Sequence, residues 1–165
     1  MIFKIKKHNT DIYNTLLYLS RNLYFYNKIK LKDVFETRIY LMFMHFSIIL
    51  IICKKKKVNF PQISYDSLFY CIENNLRELG LGDVAVNKKM KDLNKVFYDI
   101  LLKLNNDKKD FKINEMLLKK YFNDLTSSIE NKYTYFDQYF TKFYHFCFEK
   151  DHKIMIKETL KFKDI

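Results

Sequence analysis

Glycine and proline are almost missing from this chain: its 165 residues include two glycines, Gly80 and Gly82, and one proline, Pro61. Chemistries that need a glycine-rich backbone therefore have nowhere to form. There is no phosphate-cradling loop, and no nucleophile elbow of the kind that lifts a serine on a strained strand-to-helix turn. Cysteine is scarce as well. Cys53, Cys71 and Cys147 are odd in number, widely spaced and without any CxxC or Cys/His ligand spacing, so they read as reduced core residues. His8, His145 and His152 lack His or Cys ligand partners three or four residues away, so no metal site is expected, and no cofactor motif accompanies them. The opening MIFKIKKHNT has neither the apolar core nor the small-residue cleavage site of a secretory signal, and a cytoplasmic location is expected.

Arginine is the rarest cation. Lys and Arg together number 30 against 19 Asp and Glu, a net charge of +11, yet only Arg21, Arg38 and Arg77 are arginines. A strongly basic chain suits nucleic acid, a ribosome or an anionic membrane surface. Lys, Asn, Ile, Phe and Tyr are all abundant, the set favoured by AT-rich codons, so part of the charge is drift on solvated faces. The arginines escape that drift. Where lysine is so readily substituted, a retained guanidinium points to bidentate or partly buried pairing.

What is present is apolar and helical. With 48% hydrophobic residues the chain can bury one core and not two, so a single domain over 1–165 is expected. No internal repeat, Ser/Gly linker or low-complexity block divides it. A first amphipathic pattern covers about 11–26 with Ile12, Leu16 and Leu23. Asp33 offers a cap for a second helix, on which Arg38, Met42, His45, Ile49 and Ile52 form one stripe. Its apolar run IYLMFMHFSIILIIC, 39–53, is shorter than the roughly 20 residues a spanning helix needs and is interrupted by His45 and Ser47. It reads as a fully buried central helix, followed by the tetralysine 54–57. Pro61 can open a third helix carrying Tyr65, Leu68, Phe69, Ile72, Leu76 and Leu79. A fourth, from about Asn87, steps regularly through Met90, Leu93, Phe97, Ile100 and Leu104. Beyond the polar run 105–110, a fifth pattern contains Ile113, Met116, Leu117, Tyr121, Leu125 and Ile129. A sixth, from about Tyr135, crowds aromatics and Cys147 on one side. The tail IMIKETLKFKDI fits a short helix or an extended segment. The expected fold is all-α: a single irregular helical bundle of about six helices around a central buried helix.

Both glycines sit in one stretch, LRELGLGD, at 76–83. If a helix ends at Leu79, Gly80 takes the left-handed position just beyond it and Leu81 folds back on Leu76. Gly82 and Asp83 then re-aim the chain, with Asp83 able to take up free amides where the next helix starts. A carboxylate at this turn, Asp83 first and Glu78 second, is expected to form a buried pair with Arg38 or Arg77. Arg38, His45, Arg77, Glu78, Gly80, Gly82 and Asp83 are the candidate partner-binding or structural corner, and none is expected to be catalytic.

Two segments, ETRIYLMFMHFSIILI and LFYCIENNLRELGLGDVAVNKKMKDLNKVFYDILLKL, resemble the ubiquinol-cytochrome c chaperone family, bacterial relatives of the mitochondrial assembly factor for cytochrome b. The likeness rests on Arg38 and His45 on a hydrophobic helix, on LRELG followed by GD, and on a Lys-rich Met helix at Lys88, Lys89, Met90 and Lys91. It covers about 35–104, with a weaker continuation through MLLKKYF. The resemblance implies a helical, non-enzymatic factor that holds newly made cytochrome b, or another membrane-protein client, for assembly into the respiratory complex. A client-holding protein of this kind is expected in the cytoplasm, peripheral at the inner face of the cytoplasmic membrane. Composition admits such a role, since Phe, Tyr and Met supply adaptable apolar surface and lysines a basic rim toward a ribosome, a second chaperone subunit or anionic headgroups.

Two other classes compete. A basic nucleic-acid or ribosome-binding module fits the charge, but scarce Arg and the lack of a recognition-helix or zinc motif speak against specific DNA reading. A GxGD-type aspartic protease is suggested by Tyr65-Asp66 followed by Gly80-Leu81-Gly82-Asp83, whose carboxylates would share a proton. The charged and amide residues between them contradict a membrane setting.

Overall fold

A segment that is apolar around its whole circumference can be covered only at the centre of a bundle, and the run at 39–53 lies there. A computed structural model describes residues 11–104, 110–123 and 132–164, and among these are seven α-helices and no strand. In chain order they are α1 (Asp11–Ser20), α2 (Phe35–Lys55), α3 (Gln62–Glu78), α4 (Asp83–Leu104), α5 (Glu115–Tyr121), α6 (Lys132–Phe148) and α7 (Met155–Glu158). A π-helical turn, Tyr24–Lys28, joins α1 to α2, and a 3-10 turn, Thr159–Lys161, follows α7. Helix α2 packs against α1, α4 and α6, and every residue from 41 to 49 is buried. Among the described residues it is the one helix long and apolar enough to cross a membrane, yet 67% of its apolar window is covered by the rest of the chain.

Aromatic rings fill the space around α2. Phe97 of α4 stands 5.3 Å from Phe43, 5.5 Å from Phe46 and 5.4 Å from Phe69 between ring centroids, within the range where offset and tilted pairs add to the area term. The regular step expected on α4 is the reason it can dock here: Leu93, Phe97, Ile100 and Leu104 are all buried. A second aromatic group, from the π-helical turn and α6, packs around His45.

Several boundaries differ from the sequence reading, each for a local reason. The first helix stops at Ser20 instead of running to about Tyr26. The Tyr26 hydroxyl donates to the Ser20 carbonyl at 2.7 Å, and the Asn22 side chain accepts from the Tyr24 N–H at 2.9 Å, so the chain turns and restarts. Leu23, expected on the apolar face, is therefore exposed. Asp33 does not cap α2; Val34 holds that position without a side-chain bond, and the Asp33 carboxylate is committed to Arg38. Pro61 precedes α3 in extended conformation instead of opening its first turn. Helix α4 begins at Asp83, earlier than the expected Asn87, and α6 at Lys132, ahead of Tyr135. In the fifth pattern Met116 is exposed while Leu117 and Leu118 are buried; Leu125 and Ile129 lie outside the described residues, as does 105–109 of the polar run. The tail forms the short α7, the helix beyond the expected six.

Candidate functional site

Helix α3 ends as a glycine-terminated helix should. Gly80 has φ +91°, its N–H donates to the Arg77 carbonyl at 2.9 Å, and the Leu81 N–H reaches back to the Leu76 carbonyl at 3.3 Å. These two bonds satisfy carbonyls the last turn would otherwise leave open. Gly82 has no such backbone requirement: its carbonyl receives the first intrahelical bond of α4, from the Val86 N–H at 2.9 Å. Across this corner Arg77 pairs with Asp83 and, at 2.9 Å, with Glu73 one turn earlier. The expected partnership of Asp83 and Arg77 is present but is not buried, with Arg77 42% and Asp83 84% exposed. It is therefore a solvent-screened pair that fixes the turn lightly. Glu78 takes no part in it and lies instead near the Tyr13 phenol.

Arg38 does not reach this pair. Its Nε and Nη2 donate to the two oxygens of Asp33 at 2.7 and 2.8 Å, a fork-to-carboxylate match. The guanidinium holds the Asp33 carboxyl below its ordinary range, and it also reaches the Tyr26 hydroxyl. The bidentate pairing expected of a retained arginine thus holds for Arg38, with a partner five residues upstream instead of the glycine turn. Arg38 and the end of α3 nevertheless share one feature, a cleft of about 370 Å³. Its walls come from α1 (Tyr13, Leu17), the arginine after it (Arg21), the start of α2 with the two residues before it (Asp33, Val34, Phe35, Arg38, Ile39, Met42), and the end of α3 (Asn75, Leu79). Asn75 donates to the Tyr13 hydroxyl, tying α3 to α1 behind the cleft. Leu79, expected on the buried stripe, is 61% exposed. The helix ends there, so its side chain stands at the cleft's rim instead of following Leu76 inward.

His45 belongs to the interior. It is completely buried, and its ring contacts are Phe25, Tyr139, Phe140 and Phe143. A carbonyl can only accept, so Nδ1–H donates to the Leu41 carbonyl at 2.7 Å, and the bare Nε2 accepts from the Tyr139 hydroxyl at 2.9 Å. Burial drives its pKa down to about 3, keeping the ring neutral. The stripe joining Arg38 to His45 exists, because the π-helical turn covers it with Tyr26 beside Arg38 and Phe25 against His45. His45 nonetheless has no exposed surface with which to form part of the corner.

The two carboxylates of the protease-like pattern are separately engaged: Asp66 accepts from the Gln62 amide at 2.8 Å, and Asp83 from Arg77. A shared-proton dyad needs them on each other. Among the described residues no group of three or more His, Cys, Asp and Glu is placed to hold a metal ion. Tyr13, Asp33, Asn75 and Leu79 are cleft residues that the sequence did not mark as part of a site. Arg21 was marked, by its rarity alone.

The profile of a family described as Ubiquinol-cytochrome C chaperone matches residues 27–112, just over half of the chain. That stretch contains the end of the π-helical turn, α2, α3, α4 and most of the cleft, and reaches eight residues beyond the expected 35–104 on either side. No curated protein and no solved structure matches significantly.

Proposed function

Because the chain belongs to the ubiquinol-cytochrome c chaperone family, we propose that it is an assembly chaperone for the respiratory ubiquinol-cytochrome c reductase, which holds newly made cytochrome b and releases it without making or breaking a bond. The family match carries this reading. The cleft between α1, α2 and α3 supports it with a client-facing surface: apolar inside, rimmed by two arginines, and opening beside an exposed leucine.

The molecule works at the inner face of the cytoplasmic membrane, where its client is inserted. Support for this location comes from the lysine-bearing end of α2. Lys55 donates to the Tyr144 hydroxyl at 3.0 Å and Lys56 to the Lys150 carbonyl at 2.5 Å, while Lys56 also stands 5.2 Å from the Phe148 ring. Several lysines elsewhere meet carboxylates, as in Lys89 with Glu36 or Lys103 with Asp99. At this end Lys55 and Lys56 lie against aromatic rings and a carbonyl, and with Lys54, Lys57 and Lys150 they outnumber the nearby Asp151, leaving a concentration of positive charge for an anionic partner.

Deleting the gene tests the function. Assembled cytochrome b and quinol-dependent cytochrome c reduction should both fall while the cytochrome b transcript is unchanged, and a plasmid copy should restore them. Normal cytochrome b in the deletion strain would overturn the reading. A ribosome or nucleic-acid binder would instead give a steep salt-dependent affinity for RNA with no effect on the complex.

A further inference from the structure

Two of the three arginines line the same cleft, and they are not equivalent. Arg38 is spent on Asp33 through both oxygens (2.7 and 2.8 Å). Arg21 is exposed, and it acts on Asp33 and on the Tyr13 and Tyr26 phenols only through space. Among the described residues the cleft's lining therefore carries two guanidiniums against one carboxylate that is already taken, an excess of one positive charge. Its interior is apolar, with Met42 and Ile39 buried beneath the opening. Its rim carries Leu79 and Val34, both exposed. An apolar lining calls for an apolar side chain, and a free guanidinium for a planar anion it can grip with two parallel bonds. A nucleic-acid phosphate satisfies the second demand and leaves the first unmet.

We infer that this cleft seats a segment of a partner polypeptide in which a leucine or phenylalanine side chain stands next to a carboxylate. The apolar group enters between Leu79 and Met42, and the carboxylate accepts from Arg21. At about 370 Å³ the cleft lies near the lower end of the usual range for ligand sites, roughly 300–1,000 Å³, which suits one or two side chains and not a whole helix. The inference rests on the chaperone reading in taking that polypeptide to be a client, whereas the preference for an acid beside an apolar group is a property of the cleft itself.

Fluorescence anisotropy on the full chain tests it with three labelled peptides: GSLFELSG, its amide counterpart GSLFQLSG, and GSSSESSG, which keeps the acid and lacks the apolar groups. GSLFELSG should bind about tenfold more tightly than either of the others, a difference of about 1.4 kcal/mol, and the advantage over GSLFQLSG should shrink with added salt. Arg21→Gln should erase the acid preference while leaving the affinity for GSLFQLSG unchanged. Leu79→Ser should weaken both apolar peptides. Both side chains are exposed, and unchanged circular dichroism and melting temperature would establish that the variants fold. Equal binding of the acid and amide peptides, an acid preference that survives Arg21→Gln, an affinity indifferent to Leu79→Ser, or no binding of any peptide would each overturn the inference. None of these would alter the deletion phenotype, and a normal deletion strain would remove the chaperone reading while leaving the peptide result standing.

Discussion

Protonating His45 in the folded chain would place a charge among Phe25, Phe140 and Phe143 on a ring whose nitrogens are already engaged by Leu41 and Tyr139. The unfolded chain suffers no such restriction, and its histidine takes up a proton near 6.5 against about 3 in the fold. A folded pKa below the unfolded one means that the unfolded state binds the proton first. Stability is then complete above pH 6.5 and is lost as pH falls toward 3, by roughly 1 kcal/mol for each pH unit. Urea unfolding at about pH 7.5 and about pH 5.5 should show this loss, and His45→Gln should flatten the slope across the window even if it lowers stability overall. Parallel losses in the two proteins would assign the pH dependence to other groups. A lone histidine on an apolar helix was legible as a core residue. Its hydroxyl donor, Tyr139, was not, because that partner lies 94 residues away on α6.

Left-handed residues follow three of the helical elements, and glycine supplies only one of them. Gly80 closes α3 with φ +91°, but Lys57 closes α2 with φ +56° and Lys30 follows the π-helical turn with φ +64°. At Lys57 the bonding repeats that of Gly80: its own N–H donates to Lys54 at 3.0 Å, and the Val58 N–H to Cys53 at 3.0 Å. Side-chain-bearing residues are strained in this region, by about 1 kcal/mol or somewhat more. Lys57→Gly should therefore raise the unfolding free energy by about that amount, and Gly80→Ala should lower it similarly. A Cβ at either Gly80 or Gly82 meets open space, and Gly82 has no positive φ, so Gly82→Ala should be neutral or slightly stabilising. Thermal melts of the three variants check the set; equal losses at the two glycines would refute the assignment of the turn to Gly80. The same elements mark how far local pattern reaches. The all-round apolarity of α2 and the regular step of α4 were plain because tertiary packing reinforces them. The end of α1 was hidden, since it depends on Tyr26 returning to Ser20, and so was the true partner of Arg38, since Asp33 looked like a helix cap. Scarcity of arginine pointed toward the cleft; its shape, made by three helices meeting, has no signature in any one of them.

At the scale of the whole molecule, charge and apolar surface are distributed unevenly. The buried α2 emerges from the core at Lys54 and Lys55, and the surface around its end continues through Lys150 and Lys153 beside the exposed Phe148 and Ile154. Lysines near an anionic bilayer contribute about 1 kcal/mol each, and the effect fades within a Debye length. Exposed apolar side chains amid the lysines can enter the headgroup region, which an RNA surface would not require. Flotation with vesicles containing phosphatidylserine should therefore retain the protein at low salt, release much of it at high salt, and retain little with purely zwitterionic vesicles. Replacing Lys54, Lys55, Lys56 and Lys57 by glutamine should cut binding most. Phe148→Ser should weaken it while leaving the salt dependence nearly unchanged, because that side chain carries no charge. Arg21→Gln, in the cleft, should leave vesicle binding close to that of the parent, which separates the lysine-bearing end of α2 from the cleft. Retention indifferent to lipid charge, or a tetralysine variant that floats like the parent, would overturn the proposed membrane contact at this end of the molecule.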